Sequence, residues 1–179
     1  TTEIYTLSLH DALPIFKPYQ KNRVLDFLDP ERSRLGSGYH IIQSKIAVGS
    51  GGVWGKGYVK GTQAQLRFLP EQHTDFAFSV FSEEWGFIGA FLLIMMYMAL
   101  VLWGLNIAKS CNDRLGALLA VGVTAMLFWH TIINIGMVIA IFPVVGVPLP
   151  FFSYGGTSMI TSMVGIGILQ NISMRKFMF

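Results

Sequence analysis

Charge vanishes from two long stretches of this chain. Residues 85–108, WGFIGAFLLIMMYMALVLWGLNIA, contain no Asp, Glu, Lys or Arg, and neither do the sixty residues from Leu115 to Met174. A helix crosses the bilayer hydrocarbon with about 20 residues. The pattern therefore predicts an all-α integral membrane protein, a helical bundle with about three transmembrane helices at 84–108, 115–142 and 157–173. The turn KSCNDR, 109–114, separates the first two. The stretch PVVGVPLPFFSYGG, 143–156, has three prolines in its first eight residues and cannot continue a helix. It is expected to form an outer re-entrant loop.

The flanking charges predict an orientation. Lys109 and Arg114 share one side, and two further crossings return Arg175 and Lys176 to that side. The positive-inside rule makes it cytoplasmic. Residues 16–83, polar and Gly-rich, hold nine of the thirteen Lys and Arg. They become a large extracytoplasmic loop, because long loops translocate largely regardless of charge.

Composition adds little to this. The chain has 179 residues, 53% hydrophobic and 13% charged, against about 25% charged in soluble domains. Its single cysteine, Cys111, allows neither an intrachain disulfide nor a Cys-pair metal site. Residues 1–15, TTEIYTLSLHDALPI, lack the basic and apolar regions of a signal peptide. They match the in-frame translation of a short-read sequencing adapter, so 1–15 are expected to be a non-native artefact.

Four stretches invite a chemical reading. GSGGVWGKG, 49–57, fails the phosphate-loop pattern, which needs four residues between Gly and Gly-Lys and then Ser or Thr. It fails the dinucleotide fingerprint too, since the third glycine would fall at Trp54. It reads instead as a flexible turn after a short amphipathic helix in GYHIIQSKIAV. HTDFAFSVFSEEWG, 73–86, would place Asp75, Ser79, Ser82 and Gly86 on one helical face. An ionisable group that faces a bundle interior is a functional candidate. Eight helical residues separate Asp75 from Glu83 by about 12 Å, wider than the 5–9.5 Å of glycosidase carboxylate pairs. Asp75 must then act alone, with a metal, or with a partner elsewhere. In VGVPLPFFSYGGTS, 145–158, Gly155 and Gly156 open the third helix, and such a terminus attracts anions. His130 and Asn134 are assigned to contacts with a neighbouring helix. His40 and His73 show no metal-ligand spacing.

Taken in order, LDPERSRLGSGYHIIQSKIAVGSGG, FLPEQHTDFAFSVFSEEWG and NIGMVIAIFPVVGVPLPFFSYGGTS resemble the C-terminal half of a RodA-type member of the SEDS family (shape, elongation, division and sporulation). The resemblance runs from about Gln20 to Phe177. It implies a multi-pass glycosyltransferase of the bacterial cytoplasmic membrane that polymerises lipid II into peptidoglycan strands. It also implies action beside a class B penicillin-binding protein in cell-shape maintenance, with membrane lipid around it and no nucleic acid. The aspartate of the HTDF-type motif, here Asp75, is the implied catalytic residue, as general base or as ligand of a divalent cation (Mg or Mn). Lys45, Lys56, Lys60 and Arg67 are candidates to steady the departing diphosphate. Ser153, Tyr154, Gly155, Gly156 and Thr157 are candidates to bind substrate, and His73, Thr74, Glu83 and Glu84 to support the site. Family members have further membrane helices upstream, so the chain is expected to be a fragment, inactive alone. Two other classes stay open: a transporter or flippase of a lipid-linked precursor, and a non-catalytic membrane scaffold.

Overall fold

The computed structural model describes residues 37–58, 60–61 and 74–175. They form four helices and no strand: α1 (Ser37–Ser50), α2 (Ala77–Ser110), α3 (Arg114–Val138) and α4 (Gly156–Arg175). The reading of residues 1–15 as an artefact lies outside the described residues.

α2 and α3 are an antiparallel pair. The short link between them ends in Asp113, the N-cap of α3, whose carboxylate accepts from Leu115 N–H at 3.2 Å and Gly116 N–H at 3.3 Å. Capping satisfies amides that the helix start leaves without partners. Lys109 in the last turn of α2 complements the negative helix end. Small residues bring the helices together: a Cβ on Gly104 would collide with the Thr124 side chain, and one on Gly165 would sit 3.1 Å from Val123. One apolar cluster joins Ile107, Ala120, Leu169 and Ile172 beside the Cys111 link, the end that the flanking charges predict to be inner. Another, at the opposite end, called outer on the same expectation, joins Ala47, Phe76, Phe78, Met137, Val138 and Leu149. α1 buries Ile41, Ser44 and Ala47 against that outer cluster, and Ser44 Oγ donates to Val138 C=O at 3.0 Å.

α2 and α3 are long and apolar enough to cross a membrane, and little of the apolar window of α2 (6%) is buried. Phe91, Leu92, Met95, Met96 and Leu102 are exposed along it. Such a surface suits lipid or other membrane helices, not water. α4 has 20 residues and is less apolar. Its hydroxyls turn back on their own helix, Thr161 Oγ1 to Thr157 C=O and Ser162 Oγ to Ser158 C=O.

Two elements depart from the sequence reading. α3 stops at Val138, four residues before Phe142, because a helix-ending motif intervenes. Ala140 adopts φ 60°, Ala140 N–H donates to Met137 C=O, and Ile141 N–H donates to Gly136 C=O at 2.7 Å. These are the paired bonds of a Schellman ending, and the Phe142 ring folds onto Gly136, where a Cβ would block it.

The second departure is a break inside α2. Gly86 has φ 68° and ψ −164°, so the helix is two limbs, 77–85 and 87–110. In an unbroken helix Phe87 N–H would donate to Glu83 C=O, and Ile88 N–H to Glu84 C=O. The segment after α1 takes over all four groups. Lys56 N–H donates to Glu83 C=O at 3.1 Å, and Gly57 N–H to Glu84 C=O at 3.0 Å. Phe87 N–H donates to Gly52 C=O at 2.9 Å, and Ile88 N–H to Val53 C=O at 3.3 Å. GSGGVWGKG is thus a splint on the break rather than a flexible turn. Its glycines allow the approach: a Cβ on Gly51 or Gly55 would strike the backbone of Ser82 or Glu84.

Candidate functional site

Asp75 lies in the turn Thr74–Phe76, just before α2, and not on the helical face that the sequence suggested. Phe76 anchors the turn in the outer apolar cluster. The other members of that face, Ser79, Ser82 and Gly86, are buried. The two hydroxyls donate to Phe76 C=O and Phe78 C=O, so the face is packing surface and not a polar cavity wall.

The turn meets the loop that follows α3. A Cβ on Gly146, which has φ 77°, would lie 3.1 Å from Asp75 Oδ2, so glycine lets the loop backbone approach the carboxylate. Asn134 ties the two segments together. Its Nδ2 donates to Asp75 C=O at 3.0 Å and to Val147 C=O at 2.7 Å. The sequence assigned Asn134 to a helix contact; its polar amide inside an uncharged run was the signal that could have marked it. His130, given the same assignment, instead bonds within its own helix, with Nδ1 at 2.8 Å from Met126 C=O.

The loop itself is braced. Ser153 Oγ accepts from Leu149 N–H at 2.8 Å, and the Tyr97 hydroxyl donates to Pro150 C=O. Between the outer limb of α2 and residues 151–156 lies a groove of about 800 Å³. Ala77, Phe81, Glu84 and Trp85 form one wall, and Ser153, Tyr154, Gly155 and Gly156 the other. The structure therefore brings the Asp75 segment, Glu84 and the Ser153–Gly156 stretch to one end of the molecule. Thr157 is exposed in the first turn of α4.

The remaining candidates separate. Glu83 is fully buried and pairs with Lys56 Nζ at 2.7 Å, so the Lys56 ammonium is already engaged by a carboxylate. Lys45 and Lys60 are exposed, and Thr74 is half-buried. Arg67 and His73 lie outside the described residues. Among the described residues no three His, Cys, Asp or Glu side chains are grouped so as to hold a metal ion.

A family model described as a cell cycle protein, covering FtsW, RodA and SpoVE, matches residues 4–177. The chain belongs to this FtsW/RodA/SpoVE family. The family's peptidoglycan glycosyltransferase MrdB of Escherichia coli K12 is 52% identical over 160 residues, 89% of this chain and 43% of that protein. Peptidoglycan glycosyltransferase RodA of Treponema pallidum is 46% identical over 162 residues, 90% of this chain and 37% of that one. The chain spans under half the length of these FtsW/RodA/SpoVE relatives. Among solved structures, a peptidoglycan synthase complex that coordinates polymerization and crosslinking contains a chain similar to this one, with TM-score 0.72 and 31% identity over 98% of this chain and 48% of that one. Thermus thermophilus RodA matches with TM-score 0.54 and 36% identity, over 60% of this chain and 36% of that one.

Proposed function

We propose that this chain is part of a peptidoglycan glycosyltransferase that lengthens glycan strands from lipid II in the bacterial cytoplasmic membrane. One observation carries the assignment of the site. Asn134 holds the Asp75 turn and the loop at Val147 together, so that the Asp75 carboxylate lies against Gly146. Identity of 52% to a named peptidoglycan glycosyltransferase supplies the reaction class.

In that reaction a sugar hydroxyl attacks the anomeric carbon that carries the lipid diphosphate. A new C–O bond forms, the bond from the anomeric carbon to the diphosphate breaks, and the lipid diphosphate leaves with the electron pair. Asp75 takes the hydroxyl proton as general base; such a group contributes on the order of 10²–10⁴-fold. A divalent cation, if bound, would be held by Asp75 and would acidify the same hydroxyl. The groove beside Gly155 and Gly156 accommodates part of the substrate, with Tyr154 in its wall. Similarity to a chain of a synthase complex supports a class B penicillin-binding protein as the partner that crosslinks the product.

The test is glycan polymerisation from purified lipid II by the full-length protein in complex with that partner. Asp75→Asn is expected to lower the rate at least about 100-fold while the complex still assembles. Normal activity in Asp75→Asn would remove Asp75 from the chemistry. Movement of lipid II across vesicles without chain lengthening would identify a transporter instead.

A further inference from the structure

The splint on α2 is more than backbone repair, because it carries a buried ion pair. Glu83 is fully buried, with its Oε1 at 2.7 Å from Lys56 Nζ and 3.4 Å from Ser50 Oγ. Lys56 Nζ also donates to Ser50 Oγ at 2.9 Å. On the other oxygen the chain passes close: a Cβ on Gly61 would stand 2.9 Å from Glu83 Oε2. Ser50 at the end of α1, Lys56 and Gly61 thus converge on one carboxylate of the outer limb of α2.

A buried charge stripped of its partner is strongly unfavourable. The pair therefore keeps residues 50–57 docked where they complete the hydrogen bonds at Gly86. That docking sets the angle between the two limbs of α2. The outer limb has the Asp75 turn at its far end, where Asn134 holds it. The limb is fixed at both ends, by an amide at one and an ion pair at the other.

We propose that Lys56 and Glu83 are positioning residues for glycan polymerisation: their buried pair locks the splint onto the break in α2 and so places Asp75 against the loop at Gly146. The proposal rests on Asp75 being the group that acts on the acceptor hydroxyl. It differs from a role for Lys56 on the diphosphate, in which Glu83 would be dispensable.

The full-length complex serves for the test, with variants Glu83→Gln, Lys56→Met, their double and Lys56→Arg. Both single changes are expected to lower kcat by about 10–100-fold, the scale of a small misplacement of reacting groups, and to leave KM for lipid II unchanged. Lys56→Arg retains most of the activity. The double variant is no slower than the slower single, because the pair acts as one unit. Backbone amide exchange at Phe87 and Ile88 accelerates in both singles. Should a single variant not accumulate, the double, which buries no charge, takes its place with the same kcat loss and the same exchange. Unchanged kcat with unchanged exchange in Glu83→Gln would overturn the proposal. So would a rise in KM confined to Lys56→Met, which would make Lys56 a diphosphate ligand. If the wild-type complex does not polymerise lipid II, the functional reading fails by itself. The exchange measurement then still decides the latch, and unchanged protection at Phe87 and Ile88 refutes it.

Discussion

Asn134 is the residue on which the most structure converges. One amide group serves two backbone carbonyls from segments 59 and 13 residues away, Asp75 and Val147. Its Oδ1 is buried with no hydrogen-bond partner among the described residues, so the side chain is held there by its donors alone. Asn134→Ala leaves two carbonyls without their donor, at a cost of about 1–3 kcal/mol. The expected result is a lower unfolding midpoint in detergent together with weaker polymerisation. Asn134→Asp is expected to be worse, since it turns an acceptor toward two acceptors; the same unfolding measurement orders the two variants. Sequence alone could single out Asp75 and Asn134 as polar groups near or inside apolar runs. It could not pair them, because a hydrogen bond from a helix interior to a loop leaves no periodic trace in either segment. Lys56 shows the converse: a basic residue in a Gly-rich loop reads as a solvated charge until its buried carboxylate partner is known.

Among the elements, α2 was legible in existence and illegible in shape. Its charge-free run from Trp85 to Ala108 fixes the membrane limb. Hydropathy is indifferent to φ, however, and a glycine at position 86 among apolar neighbours reads as continuous helix. The end of α3 escaped for a related reason, since its left-handed residue is Ala140 where glycine is the usual signal. Two glycine substitutions separate these effects. Gly86→Ala forces an L side chain into a conformation that costs about 1–3 kcal/mol, and its Cβ would also meet the backbone of Gly55 and Val53. Lower expression and a lower unfolding midpoint are expected. Gly49→Ala, in the last turn of α1 with open space around it, should stabilise by about 0.5–1 kcal/mol. Equal effects of the two changes on the midpoint would contradict the break at Gly86.

At the scale of the molecule, Lys109, Arg114 and Arg175 at the ends of the helices predict an orientation that chemistry can read. Cys111 is the only cysteine in the sequence. A membrane-impermeant maleimide is expected to reach it from the cytoplasmic face only. Tyr58→Cys in a Cys111→Ser background should react from the outer face only. Labelling of both positions from one side would refute the orientation. The break at Gly86 has a consequence for how such a chain is made. The splint is translated before the helix that it braces; Lys56 precedes Glu83 by 27 residues. In the orientation that the flanking charges predict, residues 50–57 reach the far side ahead of α2. Four backbone groups at the membrane boundary then find partners as soon as the limb emerges. The order of synthesis thus matches the order of assembly, and a gene rearrangement that placed this loop after α2 would leave the limb waiting at the membrane surface.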